Sequence, residues 1–86
     1  MKFMVEGTLA QALTPELMAL VPAETARGKE LDAQGLRTAF STAADYSKFW
    51  QTFVADTREE VQRALESLAL YHVMTYTIIA LAPDQA

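Results

Sequence analysis

The order of the strand-like and helix-like segments is the feature that most constrains the fold of this chain. Helical periodicity follows the first and third apolar β-favouring stretches, and a strand-like run closes the chain. The order β-α-β-β-α-β predicts an α+β protein of ferredoxin-like topology, in which right-handed crossovers place two helices on one face of a four-stranded antiparallel sheet. The predicted segments are a strand at Lys2–Thr8, a helix at Pro15–Ala33, strands at Leu36–Thr42 and Tyr46–Val54, a helix starting at Thr57, and a strand at Tyr71–Leu81.

Local signals fix several of these boundaries. Thr14-Pro15-Glu16 predicts a capped helix start, and Pro22 should kink the helix or split it into Pro15–Val21 and Pro22–Ala33. Gly35 suits the position after a helix end. Ala43-Ala44-Asp45 has the length of a hairpin connection, and Thr57-Arg58-Glu59-Glu60 matches a capping box.

The size of the chain predicts one domain over residues 1–86 that gains stability by association. A domain of 86 residues leaves much of its apolar surface uncovered, and small domains compensate with disulfides, metals or oligomerisation. The chain has no cysteine and one histidine, so disulfides are excluded and a Cys/His zinc site lacks ligands. Large apolar residues on both faces of the predicted strands favour sheet-to-sheet association, and we expect a homo-oligomer, either a dimeric α/β-barrel or a larger ring.

Charge and motifs argue against several partner classes. The chain carries 11 acidic and 7 basic residues, for a net charge of −4, without a run of Lys and Arg that would bind nucleic acid. No apolar window is long enough to cross a membrane, and the start of the chain lacks a leader pattern, so we expect a cytoplasmic protein. The sequence has no phosphate-binding glycine loop and no metal-ligand cluster, so we expect no cofactor.

Glu24 is the first candidate for a catalytic residue. On the first helix, Leu17, Val21, Glu24, Gly28 and Leu31 share one stripe, which places a carboxylate on the side that should face the sheet. A carboxylate buried there must be paired, hydrogen-bonded or protonated, and such a group suits general acid and base catalysis. The alternative is that Pro22 shifts the helical phase and turns Glu24 into solvent, where it would pair weakly with Arg27.

The remaining candidate site residues are aromatic or ionisable. His72 exchanges protons near neutral pH and is a second catalytic candidate, although a strand-edge histidine bonded to the backbone is the plainer interpretation. Tyr46, Trp50 and Tyr76 are candidate substrate-binding residues, with packing in the core or at a subunit contact as the alternative. Glu6 lies in the first strand, where an edge or rim position explains it.

The whole chain resembles the muconolactone isomerase family. The resemblance rests on Lys2-Phe3-Met4-Val5, the Glu24 helix ending at Gly35, Ala43-Ala44-Asp45-Tyr46, Thr57-Arg58-Glu59-Glu60, and Leu68-Ala69-Leu70-Tyr71 leading into Met74. It implies a small ferredoxin-like protein that associates into rings and shifts a proton between carbons of an unsaturated lactone without metal or organic cofactor. The family's catalytic glutamate falls on Glu24.

The chain also departs from that family. Leu68-Ala69-Leu70 replaces the usual Leu-Pro-Leu, and Leu36–Thr42 carries small residues in place of Trp, Arg and His. These departures argue against muconolactone itself and favour a bulkier, less anionic unsaturated carbonyl substrate. Three functional classes stay open: a cofactor-free isomerase or natural-product cyclase, a small-molecule-binding module without turnover, and an assembly component.

Overall fold

The computed structural model describes residues 1–83 and shows a four-stranded antiparallel sheet with helices on one face. In sequence order, the second and fourth strands lie at the edges of the sheet, and the first and third form its central pair. This is the ferredoxin-like arrangement predicted from the sequence. The elements are β1 (Lys2–Leu9), α1 (Pro15–Met18), α2 (Val21–Ala33), β2 (Arg37–Thr42), β3 (Lys48–Val54), α3 (Arg58–Glu66), a 3₁₀ turn (Tyr71–Val73) and β4 (Met74–Ala80).

The predicted helix boundaries are confirmed at most positions. The Thr14 hydroxyl accepts a hydrogen bond from the amide of Leu17, and the Thr57 hydroxyl accepts one from the amide of Glu60. The first helix is split as predicted, but the break lies earlier: α1 ends at Met18 instead of Val21, and α2 begins at Val21 instead of Pro22. Pro22 occupies the first turn of α2, where its missing N–H breaks no bond. Gly35 follows α2 with φ of 74°, as a glycine after a helix end should.

The core lies between the helices and the sheet. Residues directly opposite each other on neighbouring strands share a face, so Val5, Gln51 and Ile78 all lie on the side that the helices cover. The apolar stripe of α3 predicted from its spacing is buried against this side, with Val61 and Leu65 completely covered. The largest fully buried side chains are Phe53, Leu31, Leu65, Val5 and Val61.

The predicted starts of the last two strands are wrong by two and three residues. The hairpin connection is five residues long instead of three, because β3 begins at Lys48 and not at Tyr46. The last strand begins at Met74, because residues 71–73 form a 3₁₀ turn in which the amide of Val73 donates to the Leu70 carbonyl. Local i to i+3 bonding therefore overrides the β preference of Tyr71 and Val73.

The opposite face of the sheet has no helix over it. Met4, Trp50 and Ile79 lie on this helix-free face, with Ile79 50% exposed, and threonines occupy many of the neighbouring positions. Large apolar residues were expected on both faces of the strands, but Phe49 and Ile78 lie on the helix-covered side. The helix-free face is therefore less apolar than predicted. Among the residues that the structure describes, no helix is long and apolar enough to cross a membrane.

Candidate active site

A cavity of about 340 Å³ lies between α2 and the helix-covered face of the sheet. Its walls are mainly apolar and include Leu9, Phe49, Leu70 and Met74. This volume is at the small end of the roughly 300–1,000 Å³ typical of small-molecule sites. The cavity can therefore hold a compact organic ligand.

The mouth of the cavity is apolar as well. Leu13, Val21, Phe40 and Tyr46 belong to its lining and are 41%, 39%, 49% and 71% exposed. Phe40 from β2 stacks on Phe49 from β3, with ring centroids 6.3 Å apart, so the two rings form one continuous wall from the mouth inward. A ligand would meet hydrocarbon surface as it enters.

Glu24 brings a carboxylate to this cavity. The first turn of α2 presents it to the lining, and the backbone amide of Leu70 donates a hydrogen bond of 2.8 Å to its Oε1. The side chain is half-buried and does not turn into solvent to pair with Arg27, which binds Ser67 and Glu30 instead. Because one carboxylate oxygen is fixed by the backbone, the position of the other is fixed too.

Tyr76 brings a phenol to the same cavity. It lies opposite Gly7 on β1, where a Cβ would be 2.9 Å from the tyrosine ring, so the glycine makes room for it. The ring stacks on Tyr71 at 6.0 Å. Burial raises the pKa of the Tyr76 phenol above its ordinary value, and the negative charge of Glu24 raises that pKa further. Tyr76 therefore stays protonated and acts as a hydrogen-bond donor at physiological pH.

Gln51 supplies a third polar group and is held by an ion pair behind it. Its side chain is buried, and its Oε1 accepts a hydrogen bond of 3.2 Å from Nη1 of Arg37. Arg37 in turn donates to both carboxylate oxygens of Asp32, at 2.7 and 3.2 Å. Since a guanidinium only donates, this contact assigns the carbonyl branch of the Gln51 amide to Arg37 and leaves the NH₂ branch as the donor toward the cavity.

Close contact with α2 determines where the Arg37 guanidinium lies. A Cβ at Gly28 would be 2.6 Å from Nη2, so a side chain at this point of the helix would force the guanidinium to move. The guanidinium also lies 4.7 Å from the centre of the Phe40 ring. Gly28, Asp32 and Phe40 thus hold Arg37 from three sides.

The structure brings together only some of the candidates chosen from the sequence. Glu24, Tyr46 and Tyr76 line the cavity, with Tyr46 at the mouth, where its backbone has φ of 60°. His72 is exposed on the 3₁₀ turn and is not part of the lining. Trp50 lies on the helix-free face, where its indole N–H donates to Glu6 at 3.2 Å.

Sequence reasoning missed Gln51 and Arg37. Gln51 was visible as the one polar residue in the alternating series Phe49, Gln51, Phe53, whose members share a face of the strand. Arg37 gave no comparable signal, because its role depends on a close approach to Gly28. Within residues 1–83, no three His, Asp or Glu side chains lie close enough together to hold a metal ion.

Comparison with known proteins identifies one family and one fold. The family model described as muconolactone delta-isomerase matches residues 1–86. Comparison with the curated proteins finds no match. The crystal structure of a muconolactone isomerase superposes with a TM-score of 0.85 at 18% sequence identity, covering 100% of this chain and 93% of the other.

Proposed function

The chain belongs to the muconolactone delta-isomerase family, and from that membership we propose that it is a cofactor-independent isomerase. It would move a proton along a small unsaturated lactone or a related carbonyl compound, with Glu24 as the base. One observation carries the proposal: the Glu24 carboxylate, anchored by a backbone amide, lies in a mainly apolar cavity that it shares with the half-buried phenol of Tyr76.

The proton transfer assigns a separate role to each oxygen of Glu24. The Leu70 amide holds Oε1, so Oε2 takes the proton from the carbon next to the substrate carbonyl. The electrons of the broken C–H bond form a new C=C bond, and the carbonyl π electrons move to oxygen, which gives a dienolate. When the carbonyl re-forms, the double bond shifts and the distal carbon takes the proton back from Glu24. Nothing is oxidised or reduced.

The negatively charged oxygen of the dienolate needs hydrogen-bond donors that stay protonated. Tyr76 meets that need, because its raised pKa keeps the phenol neutral. The Gln51 amide, fixed by Arg37, is the second donor that we assign to this oxygen. Apolar walls strengthen both hydrogen bonds by excluding water from the reacting atoms.

The geometry favours an isomerase over the other two functional classes. An assembly component would fill the space beside Glu24 with side chains, whereas a cavity of about 340 Å³ is present. A binding module needs only the apolar walls and gains nothing from an anchored carboxylate beside a phenol. The pairing of a base with a donor is the arrangement that proton transfer next to a carbonyl requires.

A homo-oligomer and a cytoplasmic location remain part of the proposal. Ile79 is half-exposed on the helix-free face beside Met4, its partner across the strands. Apolar side chains in that position favour burial against a second copy of the chain, as a dimer or as part of a larger ring.

Kinetic comparison of two glutamine variants tests the role of Glu24. The substrates are a β,γ-unsaturated cyclohexenone and a β,γ-unsaturated butenolide, whose conversion to the conjugated isomer is followed by ultraviolet absorbance. Glu24→Gln keeps shape and hydrogen bonding but removes the base, so kcat should fall about 100-fold or more. Glu30→Gln, on the exposed side of the same helix, is the matched control and should keep the parent rate. Parent-like turnover by Glu24→Gln would contradict the assignment.

A further inference from the structure

The charge of the residues that line the cavity limits which class of substrate can bind. Of the thirteen residues that line the cavity in the described part of the chain, Glu24 alone carries a charge. Its half-buried carboxylate lies in a mainly apolar lining, where a second carboxylate would repel it. An anionic ligand would also lose its own hydration on entering.

The nearby basic groups are already paired. Arg37 lies behind Gln51, and Asp32 neutralises it through two hydrogen bonds. Arg27 binds Ser67 and Glu30 on the outer side of α2. A ligand carboxylate would therefore have to compete with Asp32 or Glu30 for a cation that lies outside the lining.

The polar groups of the cavity fit a different ligand. Gln51 and Tyr76 both present donors, as suits a carbonyl oxygen, and apart from Glu24, Thr25, Thr42 and the Tyr46 phenol the rest of the lining is apolar. A neutral ketone or lactone offers one strong acceptor and an apolar skeleton. The two donors of the cavity match the acceptor of such a ligand, and the apolar walls match its skeleton.

We infer that the natural substrate is an uncharged, largely apolar unsaturated ketone or lactone, and that carboxylate-bearing lactones are selected against by Glu24. This inference rests on the proposed function, since it names the substrate class of the same site. The inferred substrate also distinguishes this chain from an enzyme whose lactone substrate carries a carboxylic acid group.

Binding of two probes of equal shape tests the inference without any need for turnover. The probes are 2-acetylnaphthalene and 2-naphthoate, measured by isothermal titration calorimetry near pH 7.5, where the naphthoate is fully ionised. The wild-type protein should bind the ketone at least about 10-fold more tightly than the carboxylate, a difference of the size that one uncompensated like-charge contact produces.

Two variants show whether Glu24 causes the preference and whether the probe is in the cavity. Glu24→Gln should tighten naphthoate binding at least about 5-fold and leave the ketone within about 3-fold of wild type. Glu30→Gln should change neither. Phe40→Ser places a hydroxyl in the apolar wall and should weaken the ketone about 10-fold or more.

The outcomes are distinct from those of the isomerase test. Equal or tighter binding of naphthoate by the wild-type protein overturns the inference, and so does failure of the ketone to bind at millimolar concentration. The wild-type comparison decides even where a variant fails to fold. If the protein prefers the ketone but turns over no enone, this inference stands and the isomerase proposal is rejected. If turnover depends on Glu24 but naphthoate binds more tightly, the isomerase proposal stands and this inference is rejected.

Discussion

Substitution of Gly28 by alanine should destabilise the protein, although the same change in an ordinary helix is stabilising. Replacing a glycine inside a helix with alanine normally gains about 0.5–1 kcal/mol, because the unfolded chain loses conformational freedom. Here the new Cβ would lie 2.6 Å from Nη2 of Arg37 and 3.1 Å from Cζ. The guanidinium has to move by roughly 1 Å to restore ordinary van der Waals contact.

The movement of the Arg37 guanidinium determines how much stability the substitution costs. Arg37 is held by hydrogen bonds of 2.7 and 3.2 Å to Asp32 and of 3.2 Å to the buried Gln51, and a shift of that size breaks at least the last. Loss of a hydrogen bond from a charged donor to a buried acceptor costs about 1.5–3 kcal/mol. After the helix-propensity gain is subtracted, Gly28→Ala should lower the free energy of unfolding by about 1–2 kcal/mol.

A double-mutant cycle isolates the contact. With Arg37 already truncated to alanine, the clash is gone, and Gly28→Ala should now stabilise by about 0.5–1 kcal/mol. Urea unfolding at one fixed protein concentration, followed by the fluorescence of Trp50, measures all four free energies. The reasoning is refuted if Gly28→Ala stabilises both backgrounds equally, since Arg37 would then not lie against the helix.

Three further outcomes follow from the same geometry. Tyr76→Phe removes the phenol donor and should lower kcat about 100-fold with little change in KM, and the wild-type pH–rate profile should show no loss from Tyr76 ionisation up to about pH 10, because its pKa is raised. Arg37 lowers the pKa of the Asp32 carboxyl, so this pair contributes stability above about pH 4 that is lost as the pH falls through the lowered value. Asp32→Asn should therefore reduce the loss of urea resistance between pH 7 and pH 3. Light scattering should find at least a dimer, and Ile79→Lys on the helix-free face should shift it toward monomer, whereas a monomeric parent at micromolar concentration would contradict the association.

Much of the fold could be predicted because its signals are local. The order of the elements follows from hydrophobic periodicity, and Thr14, Pro22, Gly35 and Thr57 mark helix ends through bonds to their own neighbours. The 3₁₀ turn at Tyr71–Val73 was not predictable in this way, because the residues themselves favour a strand.

The site was only partly predictable, because the face on which a strand residue lies depends on the register of the strand as well as on the residue type. Glu24 was found from the helical stripe, since its distance from the buried Gly28 and Leu31 along α2 fixes its side. On a strand, neighbours point to opposite faces, so the cavity receives Gln51 and the helix-free face receives Trp50. Which of the two points inward depends on pairing with β1, which lies far away in the sequence.

Deuterium exchange gives the most direct test of proton transfer by Glu24. A β,γ-unsaturated cyclohexenone is incubated in D₂O with the wild-type protein or with Glu24→Gln, and loss of the proton next to the carbonyl is followed by nuclear magnetic resonance. We predict exchange and isomerisation by the wild-type protein at rates at least about 100-fold above those of the variant. Equal rates of proton loss in the two proteins would contradict the assignment of Glu24 as the base.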